Sequence, residues 1–281
     1  MDENNITSGG VLDVLQESVI KQGERNKEKD NSKYHFDKLK LFFGLDYYVK
    51  GIRICQPTIG DILEIGEKDF YSAVTPLINN STSIRLMLWK SLGIDNWCNI
   101  KDIEIYQMMM GNVQNTKPLK LIFPDIDFSE FKLMSIQLPN QEDYQLCLYN
   151  KSLDLVLLED DYMEIAEYIR EMLNIHPKVE KAKGKTTRKW MLQEDEQNLL
   201  NKPSENDSSL LPLISSLINH PGFKYNLEEL KQVGICQFYD AIQRLQIYEG
   251  TRALLQGSYS GFCDTSKINK EQFNFMRNID N

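Results

Sequence analysis

The sequence is poor in histidine and has no closely spaced cysteines. Its 281 residues contain only His35, His176 and His220. A zinc site or a histidine-based triad needs three or four converging ligands, and none of these residues has a second histidine nearby in sequence. The five cysteines lie at 55, 98, 147, 236 and 263. Their number is odd, the gaps are wide and no C-x-x-C occurs, which argues against a disulfide framework or a zinc ribbon. They read as reduced, mostly buried thiols. No metal or cofactor is expected. Long apolar runs are missing too: the longest stretches are Leu155 to Leu158 and the interrupted run Leu210 to Ile218. A bilayer span needs about 20 apolar residues, so no membrane partner is expected. The start, MDENNITSGG, is acidic and polar, without the basic start and apolar core of a secretory signal. The expected location is the cytosol. Positive charge is also short. Thirty-two Lys and Arg stand against 41 Asp and Glu, a net charge of −9. That disfavours a protein that binds nucleic acid through overall charge.

What is present is ordinary for a folded, soluble chain: 41% hydrophobic, 10% aromatic and 26% charged residues. At about 150 residues per domain, the length suggests roughly two domains. The expected organisation is a mobile polar tail over 1–36, an α+β domain over 37–175, a basic helical connector and linker over 176–208, and a helical domain over 209–281. In the tail, only Val11 to Ile20 is apolar enough for a helical turn or two.

The α+β reading comes from local pattern. Lys50-Gly51 lies between the apolar runs YYV and IRI, which suits a tight hairpin. Thr58 reads as a helix N-cap, with Asp61 as its capping-box partner and a helix running to about Leu77. Further helices are expected over about 83–92 and 101–110. The second ends in Met108-Met109-Met110, which suits an irregular core or an adaptable contact surface. Strands are expected at Leu119 to Phe123, Phe131 to Leu138, Tyr144 to Tyr149 and Leu153 to Leu158. The last two should pair around Asn150 to Ser152. Ile165, Ile169, Met172 and Leu173 then mark one face of a helix over about 159–174. In the C-terminal part, helices are expected over 190–202, 210–218, 227–232 and 235 to about 255. A loop through GSYSGF and a last helix from about Asn269 follow.

Apparent catalytic motifs fail on chemistry. Gly184-Lys185-Thr186 ends like a phosphate-binding loop, but Val179 occupies the position of the required first glycine. Gly257-Ser258-Tyr259-Ser260-Gly261 places Tyr259 where a nucleophile elbow needs serine. Asp61, Glu64, Glu67 and Asp69 read as solvated helix charges rather than a glycosidase pair. The helix-turn-helix outline over 227–247 has a balance of −1, the wrong sign for a recognition helix facing phosphate. The connector carries more electrostatic meaning. Lys178, Lys181, Lys183, Lys185, Arg188 and Lys189 face Glu180 alone, a local balance of +5. With Trp190 and the Met108–Met110 run, these residues are the candidate partner-binding set. The plainest reading of such a run is a solvated linker that offsets neighbouring acids; as a contact, an acidic protein surface is favoured over nucleic acid, because Trp190 is the lone aromatic nearby.

Four stretches together resemble a known family: YYVKGIRICQPTIGDILEIGEKDFYSAV (47–74), LCLYNKSLDLVLLEDDYMEIAEYIREM (146–172), LLPLISSLINHPGFKYNLEELKQVGICQFYDAIQRLQ (210–246) and GSYSGFCDTSKINKEQFNFM (257–276). The family is encoded in tail-morphogenesis regions of phages and prophages of Gram-positive bacteria and is described as tail assembly chaperone-like. The resemblance covers about residues 37–281 and implies no catalytic residues. It implies transient binding of a tape-measure or tail-tube protein in the bacterial host cytoplasm until the tail polymerises. The expected function is therefore a non-enzymatic tail assembly chaperone. A structural virion subunit (tail, baseplate or connector) is the first alternative, and a nucleic-acid-associated regulator is a minor one.

Overall fold

A computed structural model describes residues 34–137, 144–200, 208–261 and 268–279. The expected tail over 1–33 and the linker over 202–207 lie outside the described residues. The chain divides into two compact units, one over Phe36–Tyr239 and a smaller one that takes in Asp240–Asn281. The fold is α+β. The described residues form ten α-helices and five strands, the strands in two antiparallel sheets.

In the larger unit, Asp37 caps the short helix α1 (Lys38–Phe42) by accepting from the Leu39 and Lys40 amides. Strands β1 (Tyr47–Val49) and β2 (Ile52–Ile54) then form the expected hairpin. Lys50 and Gly51 have φ of 50° and 82°, so both central residues are left-handed, as a type I′ turn requires. Val49, Ile52 and Ile54 point inward. Helix α2 (Ile59–Ile65) starts with the expected capping box: Thr58 Oγ1 accepts from the Asp61 amide at 3.1 Å, and Asp61 accepts from the Thr58 amide at 2.8 Å. The single helix expected to reach Leu77 is two helices. Gly66, at φ 100°, ends α2 and turns the chain into α3 (Glu67–Ile78).

Helices α4 (Arg85–Leu92) and α5 (Asp102–Met110) follow as expected. The strand expected at Leu119 to Phe123 is instead a 3₁₀ turn, Lys117–Leu121. In and just after it, the buried Leu119, Ile122 and Phe123 are spaced i, i+3, i+4. That is helical spacing, and Pro118 suits a helical start more than a strand. Strands β3 (Lys132–Gln137), β4 (Tyr144–Asn150) and β5 (Leu155–Leu158) form one antiparallel sheet in that order. Helix α6 (Glu159–Met172) leaves β5 directly and packs on the sheet, with Tyr162, Ile165, Ile169 and Met172 buried.

The core lies between this sheet, α3, α5 and α6. Tyr106, Phe123, Phe128, Phe131 and Tyr162 are fully buried. Phe123 stacks on Phe128 at 4.2 Å, and the Tyr106 hydroxyl donates to the Phe128 carbonyl at 2.6 Å. Each such ring stabilises the fold by about 1.5–3 kcal/mol through burial. Arg170 enters from α6. It donates to Asp102 and Glu167, each at 2.7 Å, and to the Ile78 and Asn79 carbonyls at 3.1 and 2.9 Å. The end of α3 therefore finds its hydrogen-bond partners in a side chain of another helix.

Helix α7 (Lys185–Leu200) begins earlier than the expected residue 190, so the second half of the basic connector is helical. Helices α8 (Leu210–Ile218), α9 (Leu227–Leu230) and α10 (Ile235–Tyr259) follow. Helix α10 continues past residue 255, so the loop begins only after Tyr259. Glu67 supplies the cap of α8, accepting from the Ser209 and Leu210 amides at 2.8 and 3.0 Å and from both serine hydroxyls, Ser208 and Ser209. The α9–α10 turn is tied to the start of α2. The Ile59 and Gly60 amides donate to Val233 and Lys231, and the Ile235 amide donates back to Pro57. Gly60 is required there, since a Cβ would sit 2.8 Å from the Lys231 carbonyl oxygen.

The smaller unit is held by Arg277, which donates to Thr251 Oγ1 and the Gln272 carbonyl, both at 3.1 Å. Tyr248 meets Phe275 edge-on at 6.1 Å. The last helix expected from Asn269 is a 3₁₀ turn, Lys270–Phe273, capped by Asn269. Among the described residues, no helix is long and apolar enough to cross a membrane.

Candidate interaction surface

The basic segment is anchored from beneath by Arg85, at the start of α4. Its Nε and Nη2 form a two-point pair with Asp195 at 2.6 and 2.7 Å, and Nη1 donates to Glu180. The guanidinium lies over the Trp97 ring, 5.6 Å from the centroid. This is the planar, forked recognition that only arginine supplies. The carboxylates raise the Arg85 pKa above its ordinary value: the Asp195 hydrogen bond is the largest cause, burial acts against it, and Glu180 adds to it. The charge is therefore permanent. Further ties run along the same seam. Lys90 pairs with Glu196, Arg188 donates to the Asp95 carbonyl and to Asn96 Oδ1, and the Glu180 amide donates to Thr82 Oγ1 at 3.1 Å. Asn80 Nδ2 donates to the Lys178 carbonyl at 2.9 Å.

The result is a division of charge. Glu180, Asp195 and Glu196 turn toward α4. Lys178, Lys181, Lys183, Lys185 and Lys189 are exposed. Along α7 the buried Leu192 and the α4-facing Arg188 and Asp195 mark the inner face. Lys185 and Lys189 are one turn apart, and Trp190 falls opposite Leu192 by helical geometry. Trp190 is 72% exposed, and Val179, between Lys178 and Glu180, is 78% exposed. The structure thus brings Lys185, Lys189 and Trp190 onto one helix and presents Lys178, Lys181 and Lys183 on the strap leading to it. Arg188 is the exception: it belongs to the inner seam.

The Met run lies elsewhere. Met110 is buried, while Met108 and Met109 are half-buried at the end of α5. A second exposed apolar surface was not singled out from sequence: Leu39, Phe42, Phe43, Leu45 and Tyr48 are all solvent-exposed within one short stretch. The signal that could have found it is density of large apolar residues on a helix too short to bury them.

Three of the four acids of the first helical region have structural partners. Asp61 caps α2, Glu67 caps α8, and Asp69 accepts from Asn115 at 3.0 Å. The His220 ring nitrogen Nδ1 accepts from the Gly222 amide at 3.0 Å. Burial, with a hydrogen bond to Asp46, pushes the Cys55 thiol up to about 11, so it is protonated at neutral pH. Among the described residues, no group of three or more His, Cys, Asp or Glu is placed to hold a metal ion.

The fold and surface define an α+β protein whose exposed features include a lysine strap with Trp190 and an apolar stretch over residues 39–48. The family described as YomV second domain matches residues 201–280, the stretch that carries α8, α9, α10 and the last 3₁₀ turn. That family belongs to Bacillus phages and prophages, which points to a phage origin for this part of the chain. No curated protein and no solved structure matches the chain.

Proposed function

We propose that the protein is a non-enzymatic phage morphogenesis factor, a tail assembly chaperone that holds a tape-measure or tail-tube protein in the host cytoplasm before polymerisation. The observation that carries the reading is the phage-family match over 201–280. The chaperone form is supported by the exposed cluster of Leu39, Phe42, Phe43, Leu45 and Tyr48. Contiguous exposed apolar surface marks a site of protein contact, and a chaperone must cover apolar helix faces and then release them.

The test is quantitative mass spectrometry of cleared lysate and purified particles from one phage-producing culture, with co-expression of the tape-measure protein alongside. The expected result is abundance in lysate, absence from particles and a higher soluble yield of the client. Stoichiometric presence in particles would replace this reading with a structural virion subunit. No rise in client solubility and no co-purification would remove the chaperone role.

A further inference from the structure

We infer that the exposed surface of the strap and of the first turns of α7, carrying Lys178, Val179, Lys181, Lys185, Lys189 and Trp190, is a docking surface for an acidic, partly apolar segment of a partner protein. The inference rests on the reading that this protein works by binding other proteins, not on the identity of the client.

Three observations carry it. First, the local acids other than the exposed Glu194 are held away from the outer face. Glu180 and Asp195 are held by Arg85 and Glu196 by Lys90, on the inner side. In a chain with a net charge of −9, the strap is left as a basic surface. Second, apolar groups stand among the lysines. Trp190 and Val179 are 72% and 78% exposed, and neither is needed by the core beneath. An exposed tryptophan ringed by polar groups is the residue type most enriched at the energetic centres of interfaces. Third, the surface is preorganised. Arg85, Arg188 and Asn80 fix the strap and helix from below, so docking orders little new chain.

The occupant follows from complementarity. Four lysines select carboxylates, and Trp190 and Val179 select an adjacent apolar side chain. A phosphate backbone fits less well. The aromatic is single, so successive bases have no stacking platform.

The test uses the full chain. Fluorescence anisotropy is measured with a labelled amphipathic peptide of Glu, Asp, Leu and Ala, and with a labelled single-stranded DNA oligonucleotide. The peptide is expected to bind, to weaken as salt rises, and to weaken about tenfold or more in Trp190→Ala. The double variant K185E/K189E should abolish binding with thermal stability unchanged or raised, since both residues are exposed near the positive end of α7. Tighter binding of DNA than of peptide overturns the inference, as does peptide binding unaffected by either variant or no binding at all. Self-association lost in the same variants, seen by sedimentation, would overturn it in favour of a second copy. If the peptide fails while the tape-measure protein still co-purifies, the inference falls and the chaperone reading stands. The converse result separates them the other way.

Discussion

Arg170 and Arg85 are the same side chain put to two uses. Both are nearly inaccessible, at 3% and 8% side-chain exposure, and both are paired with two carboxylates. Arg170 joins α6 to α5 and to the end of α3, directly beside the buried aromatic core. Arg85 joins α4 to the strap and to α7, over Trp97. One partner of each differs in exposure, Asp102 at 16% against Glu180 at 39%, while Glu167 and Asp195 are similar at 28% and 25%. An ion pair in a core is part of the cooperative fold. The same pair at the edge of the fold positions a surface and leaves the core to itself.

The first way to break this comparison is Arg170→Ala. It leaves Asp102 half-enclosed without its cation, and two backbone carbonyls at the end of α3 without a donor. The expected cost is about 3–5 kcal/mol, the range for removing one partner of a buried pair. Urea unfolding should show a lower midpoint with an unchanged slope. A loss under about 1 kcal/mol would mean that Arg170 is not integral to the core.

Arg85→Ala should cost less, about 2 kcal/mol, because its carboxylates can turn to solvent. The location of the effect matters more than its size. Amide exchange should accelerate over Lys178 to Leu200 while α6 keeps its protection. Equal loss of protection in α6 would erase the distinction between the two regions.

Glu67 tests whether long-range caps belong with the first region or the second. Burial raises the pKa of Glu67, but the hydrogen bonds from Ser208, Ser209 and Leu210 outweigh it, so the net shift is downward from 4.5. A carboxylate lowered on folding contributes stability above its unfolded pKa and loses it as pH falls through the folded value. Glu67→Gln keeps an acceptor oxygen but loses the charge, and should therefore cost about 1 kcal/mol at neutral pH, the upper part of the range for a charge at an exposed helix start. The difference from the parent should vanish as the pH is lowered below about 4.5. A pH-independent difference would show that the amide contacts, not the charge, hold α8.

How far each region could be read from sequence follows the same line. The hairpin at Lys50-Gly51 and the capping box at Thr58 and Asp61 are local, and both were legible: the turn needs two left-handed residues and the box needs two side chains three apart. The 3₁₀ turn at Lys117–Leu121 was misread because apolar content outweighed spacing. Helix α10 runs past its expected end near residue 255 and through Gly257; an interior glycine costs only about 1 kcal/mol and does not end a helix alone. The roles of Arg85, Arg170 and Glu67 were not legible, since their partners other than Glu167 lie 68 to 143 residues away in sequence. For the strap, the lysines were legible as a cluster. That its acids face inward, leaving the cluster basic on the outside, was not.

The smallest effect sharpens the contrast most. Lys185 opens α7, Arg188 and Lys189 follow within a turn, and the first turn holds no acid. Cations there oppose the positive end of the helix dipole. The core region shows the opposite: α6 begins with Glu159, Asp160 and Asp161, and Asp161 accepts from the Leu158 amide at 2.9 Å. Helix α6 is therefore charged for stability, and α7 is not. Lys185→Glu should stabilise the protein by about 0.5 kcal/mol, within the range for a favourable charge at a helix start. The gain should shrink in high salt, read as a small rise in the thermal midpoint at low ionic strength that disappears as salt is added. A loss of stability would mean that Lys185 has a structural partner and that the strap is part of the fold's own charge balance. A gain means that the strap carries its lysines against local helix energetics, which is what a surface shaped by an external acidic partner requires.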